Sequence, residues 1–117
     1  MIKNNNNDIF YKIINRLIYS EIVFQDKLIT IFKDKYPLAP IHLLIVTNKK
    51  IKTINDINYK DRIIIGHCFY IASRISKLYK ISETGYRLIS NCNKDACQKI
   101  FHFHIHLLGG KYLGDIL

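Results

Sequence analysis

The stretch "IFHFHIHLLGG", Ile100 to Gly110, places three of the chain's five histidines at alternate positions and closes on two glycines. In an extended strand, residues i and i+2 share a face and lie roughly 6.5–7 Å apart. That spacing puts His102, His104 and His106 on one face and Phe101, Phe103, Ile105 and Leu107 on the other. The apolar row can pack on a helix and fix the strand, while Gly109 and Gly110 end it. One buried histidine is an ordinary core residue. Three in register bring two ring nitrogens each, all needing partners, so packing alone does not account for them.

The rest of the chain supplies two helices and four more strands. "DIFYKIINRL" carries Ile9, Phe10, Ile13, Ile14 and Leu17 at helical spacing, with Asp8 placed to cap the first turn. "EIVFQDKLITIFK" splits at Asp26-Lys27 into two β-rich runs, a hairpin. "DKYPLAP" has two prolines and is an irregular connection. "IHLLIVT" is a third strand, with His42 on the side of Leu44 and Val46. Tyr59 to Lys80 reads as one long helix with Ile64, His67, Cys68, Ile71, Ile75 and Leu78 on its apolar stripe. Gly66 within it weakens it by about 1 kcal/mol and permits a close neighbour. "GYRLISN" is a fourth strand, "CNKDACQK" a loop, and the histidine segment the fifth strand. The fold class is α+β with a five-stranded antiparallel sheet, because the early strands are joined by turns too short for parallel crossovers.

Composition bounds the rest. The 117 residues suffice for one core; residues 1–7, with four asparagines, read as a disordered leader and 8–117 as a single domain. No apolar run approaches the roughly 20 residues of a spanning helix, and "MIKNNNNDIF" lacks the apolar region of a secretory signal. A cytoplasmic location without membrane association is expected. Cys68, Cys92 and Cys97 are an odd number and read as reduced thiols. The net charge of +9 is spread from Lys3 to Lys111 rather than clustered, so a nucleic-acid partner is not expected, although such a surface attracts anionic ligands.

Two chemistries compete for the histidines. Three rings, with His42 as a fourth, could bind zinc, but bonds of about 2.0–2.1 Å require the rings to converge, and i and i+4 on a strand are roughly 13 Å apart. Alternatively the imidazoles serve a phosphoryl group: one attacks phosphorus while others hold oxygens and manage protons near neutrality.

"HFHIHLL" resembles the alternating signature of the histidine triad superfamily of nucleotide hydrolases and transferases. "DIFYKII", "IVFQDKLITIFKD", "PLAPIHLLIV" and "GYRLISN" occur in the order and spacing of its nucleotide-binding branch, and "LLGGKYLGDIL" is similar to the bacterial purine nucleoside phosphoramidases. The third histidine, His106, stands where the uridylyltransferase branch carries Gln. The resemblance implies a homodimer with a ten-stranded sheet and the long helix at the interface. It also implies a reaction without metal or other cofactor on a purine nucleotide substrate, AMP-like or GMP-like. His104 would attack the α-phosphorus of a nucleoside 5′-phosphoramidate, His106 would contact the phosphate, and His102 and His42 would buttress them. Asp34 would accept the ribose hydroxyls with Lys35 beside it, Phe32, Ile9, Phe10, Ile13 and Leu44 would form the purine slot, and Asn91 a polar contact.

One loop departs from the pattern. Where family members commonly carry two glycines before Gln, this chain has Ala96 and Cys97 before Gln98, and Lys99 stands where several eukaryotic members have Ser. Cys97, Gln98 and Lys99 are expected at the phosphate, Lys99 offering an ammonium near the phosphate or the leaving group. Glycine there would allow positive φ, so keeping the loop's path without it costs on the order of 1 kcal/mol. A nucleotide-binding module with little turnover is the alternative function.

Overall fold

A computed structural model describes residues 5–116, with side chains described from residue 8 onward. The strands are β1 (Ile22–Gln25), β2 (Ile29–Lys33), β3 (Ile41–Thr47), β4 (Tyr86–Ile89) and β5 (His104–Gly109), joined in one antiparallel sheet of order β1-β2-β3-β5-β4. Helix α1 is Asn5–Ile14 and α2 is Arg62–Leu78. Residues 1–4 of the expected leader lie outside the described residues. Since α1 begins at Asn5, Asp8 sits within its first turn, where a carboxylate favours the helix dipole, rather than at the cap.

Helices cover both faces of the sheet, which is why β3 reads as an almost unbroken apolar run. On one face, Cys68, Ile71, Ala72 and Ile75 of α2 pack with Ile29, Ile31, Leu43, Ile45, Ile105 and Leu107. On the other, Phe10 and Ile13 of α1 pack on Phe32, Leu44 and Val46. From β3 the chain runs through α2 to the outer strand β4 and returns as β5 between them. Among the described residues no helix is long and apolar enough to cross a membrane.

Both helices stop without glycine. Arg16 and Lys80 take left-handed φ of 59° and 61°. Leu17 N–H reaches Lys12 O and Ile81 N–H reaches Ser76 O, while Arg16 and Lys80 donate to Ile13 O and Lys77 O. These are Schellman closures, and a Cβ in that region carries strain.

Four further expectations are corrected. The long helix begins at Arg62, because Tyr59–Asp61 forms a separate 3₁₀ turn in which the Asp61 carboxylate accepts the Asn58 N–H. Leu78 is 73% exposed: the buried arc runs through Ala72 and Ser76, and Ile81 fills the space at the helix end. Gly66 has no close neighbour in this chain, since a Cβ there would meet nothing within 4 Å. Finally, β5 starts at His104, not Ile100. β3 ends at Thr47, so the preceding segment bonds instead to the connection that follows it, Phe103 N–H donating to Ile51 O. His102 therefore precedes the strand, yet its ring still meets Phe10 on the α1 side while Phe103 packs in the core on the α2 side.

Candidate functional site

The two central strands bring three rings together. His106 lies opposite Leu44, His104 opposite Val46, and His42 opposite Leu108, all on the face that α1 covers. The His42 and His106 rings are 5.2 Å apart between centroids, as are His104 and His106. The edge of Phe10 meets His104 at 5.1 Å and His102 at 5.7 Å. His102 is buried just ahead of the strand.

Hydrogen bonds fix which nitrogens carry protons. Leu38 N–H donates to His42 Nδ1 at 3.0 Å, so the proton of neutral His42 is on Nε2. That N–H donates to His106 Nδ1 at 2.9 Å, which leaves the His106 proton on Nε2. The His104 Nδ1–H donates to the His102 carbonyl at 2.7 Å, leaving a lone pair on His104 Nε2. Ser90 Oγ–H holds the His104 carbonyl at 2.8 Å, and His102 Nε2–H donates to Thr47 O at 2.6 Å. His102 Nδ1 is buried without a partner among the described residues.

Burial dominates the titration of all four rings. It pushes His42, His102 and His104 below the ordinary imidazole value, against the opposing pull of Asp34 on His42, of Thr47 O on His102 and of His102 O on His104. His106 is pushed down to about 4 by burial and by repulsion from His104 and His42. All four are neutral at pH 7, the state in which an imidazole nitrogen is a nucleophile.

Beside the rings lies a cleft of about 410 Å³ lined by Ile9, Phe10, Ile13, Phe32, Leu44, Asp34 and Lys35 among others. Seven of the residues expected to hold a nucleotide thus meet in one place. Asp34 is fixed at the mouth: its N–H donates to His42 O, its Oδ1 accepts the Tyr36 N–H at 2.8 Å, and its Oδ2 lies 3.4 Å from His42 Nε2. Ile18, Tyr19, Ser20, Tyr36 and Ile100 also line the cleft and were not foreseen. They follow helix or strand ends, where no periodicity marks them.

The loop before β5 crosses the end of the site. Asn91 lies two residues past β4, whose Ile89 faces His106. Gln98 is buried and braces the loop: its amide donates to Lys52 O and Ile100 O, and its Oε1 accepts the Asn93 N–H. Cys97 adopts left-handed φ 61°, ψ 37°, and Asn93 adopts φ 66°, ψ −168°, a region that otherwise favours glycine. The loop keeps a glycine path with residues that strain it. Cys97 and Lys99 are exposed upon it.

Asp34, His42 and His106 offer one ligand atom each within 4.8 Å of one another. The donor set does not suit a metal. His42 Nδ1 already accepts Leu38 N–H, so freeing a lone pair on Nε2 would set an N–H against an N–H. Outside the cleft, His67 Nε2 pairs with Asp26 Oδ2 at 2.6 Å and ties α2 to the β1–β2 turn.

The HIT domain model matches residues 15–113. An uncharacterized HIT-like protein of Buchnera aphidicola subsp. Baizongia pistaciae is 51% identical over 109 residues, covering 93% of this chain and 97% of its own. The purine nucleoside phosphoramidase of Escherichia coli K12 is 46% identical over 109 residues, covering 93% and 92%. Among solved structures, a HIT family hydrolase from Legionella pneumophila superposes with a TM-score of 0.88 at 40% identity, covering 91% of this chain and 95% of that one.

Proposed function

The chain belongs to the HIT domain family, and from that premise we propose that it hydrolyses the P–N bond of purine nucleoside 5′-phosphoramidates. The observation that carries this reading is the His104 ring, neutral, with Nδ1–H pinned to a carbonyl and a lone pair on Nε2 beside an apolar slot and a carboxylate. The apolar walls take the purine and Asp34 accepts the ribose hydroxyls. His104 Nε2 attacks the α-phosphorus, a new P–N bond forms to the ring, and the bond to the amine breaks. The departing nitrogen takes a proton from solvent at the cleft mouth. Water then attacks phosphorus, releases the nucleoside monophosphate and returns the ring. His106 Nε2–H, backed by His42, donates to a non-bridging oxygen as charge develops there.

Hydrolysis of adenosine 5′-phosphoramidate by the native protein and by His104→Ala tests this directly, with mass spectrometry seeking a nucleotidyl adduct on His104. Full activity in the variant refutes it. The strained loop at Asn93 and Cys97 favours one competing reading, a nucleotide-binding module with little turnover; tight AMP binding without amine release would support that instead.

The functional unit is a homodimer in this reading. Ile63, Phe69 and Tyr70 are exposed on α2 around the open Gly66, and β4 is an unpaired sheet edge. Two such edges paired across a twofold axis give the ten-stranded sheet. The three free cysteines fit a reducing cytoplasm.

A further inference from the structure

The cleft lining includes Lys33 and Lys35, and the loop that supplies Ile100 to it carries Lys99. Lys33, Lys49 and Lys50 face Glu21, Asp61 and Asp8 at 2.8, 2.7 and 3.8 Å. Lys35 and Lys99 are exposed and form no ion pair among the described residues. Lys35 lines the cleft next to Asp34, its ammonium 6.0 Å from the Tyr36 ring. Lys99 directly precedes Ile100, another cleft residue, and its backbone is held on both sides because the Gln98 amide is bonded to Ile100 O and Lys52 O. Lys94 stands exposed on the same loop, where the local acid is Asp95.

A nucleoside 5′-phosphoramidate brings one negative charge at the α-phosphate, next to His106. In-line displacement requires the amine to leave on the side of phosphorus away from His104. Lys35 in the cleft lining and Lys99 beside Ile100 are cations without an ion pair among the described residues, and an anionic group on the amine would be drawn to them. We infer that this chain selects substrates whose leaving group bears a negative charge, with Lys35 and Lys99 as specificity-determining residues. The inference rests on the P–N hydrolase reading. A carboxylate or a phosphate on the amine would satisfy the same chemistry.

The test compares four adenosine 5′-phosphoramidates, made from propylamine, β-alanine, 2-aminoethyl phosphate and ethylenediamine. Each is assayed with the native protein and with the double variant Lys35→Glu, Lys99→Glu. Ratios of kcat/KM are taken within each protein, so a loss common to all four substrates cancels. The native protein should prefer the anionic leaving groups to the neutral one by roughly three- to fivefold per lysine, and disfavour the cation, with the preference shrinking at high salt. The double variant should invert the order. The larger of the β-alanine and aminoethyl phosphate ratios identifies the anion. Equal ratios in the native protein, or ratios unmoved by both charge reversals, overturn the inference alone. No cleavage of any of the four overturns the hydrolase reading and this inference with it.

Discussion

Replacing His106 by Asn should make the protein less sensitive to acid. In the folded chain His106 is pushed from 6.5 to about 4, chiefly by burial and then by repulsion from His104 and His42. The unfolded chain therefore binds a proton to this ring between pH 6.5 and 4 where the folded chain does not. Stability present above 6.5 is lost as pH falls through that window. At about 1.4 kcal/mol per pH unit, the drop from 6.5 to about 4 sets a ceiling of about 3.4 kcal/mol. At pH 4.5 the loss would reach about 2.6 kcal/mol, and solvent screening of a partly exposed ring brings it to about 1–1.5 kcal/mol. Asn lacks the titration, yet its Oδ1 can still accept the His42 Nε2–H. Urea unfolding of both proteins at pH 7.5 and 4.5 measures the difference, and carboxylates common to both cancel. If both proteins lose the same stability on acidification, His106 is not held neutral by its surroundings and the electrostatic account of the site fails.

Four further outcomes are expected. Phe10→Ala removes a ring that is 2% exposed and touches both Phe32 and His104, so it should cost about 3–5 kcal/mol in thermal or urea unfolding and raise KM for a purine phosphoramidate. Arg16→Gly and Lys80→Gly relieve left-handed backbone at both helix ends, and each should stabilise by about 0.5–1 kcal/mol. Asn93→Gly should stabilise by about 1 kcal/mol, and an unchanged urea midpoint would show that the loop is relaxed with Asn. His42→Ala deprives His106 Nδ1 of its donor and should lower kcat more than it raises KM; an unchanged kcat would remove His42 from the proton arrangement.

Much of this architecture was readable because it is local. β3 matches "IHLLIVT" residue for residue, and the hairpin turn at Asp26 follows from a carboxylate that accepts the N–H groups of Leu28 and Ile29. What escaped the sequence depends on partners far along the chain. His102 leaves the strand because β3 ends at Thr47, fifty-five residues away, and the ring finds its acceptor there. Leu78 fits the helical stripe, yet the turn at Lys80 lets Ile81 occupy the core in its place. The helix ends carried no glycine to announce them. Gln98 was expected at the phosphate, but its amide is engaged by backbone on three sides, so it shapes the loop. The Leu38 N–H, which decides the tautomer of His42, has no side-chain signature at all.

That backbone donor also decides between phosphoryl and metal chemistry. Two nitrogens that share a tetrahedral zinc at about 2.0–2.1 Å stand about 3.4 Å apart, and each must present a lone pair. His42 Nε2 and His106 Nδ1 are 2.9 Å apart with one proton between them, a donor and an acceptor rather than two acceptors. Moving that proton to His42 Nδ1 would break its bond from Leu38 and leave a buried N–H unanswered, at about 1–3 kcal/mol. Asp34 keeps its Oδ2 available, so the exclusion rests on the His42–His106 pair. Hydrolysis of the phosphoramidate should therefore keep its rate in excess chelator, and calorimetric titration with zinc should show no stoichiometric site. The Leu38 bond gives the experiment an internal control. Leu38→Pro removes the N–H, frees the tautomer, and should be the variant in which zinc begins to bind. Stoichiometric zinc in the native protein, lost together with activity on chelation, would refute the tautomer assignment from which the nucleophile was derived.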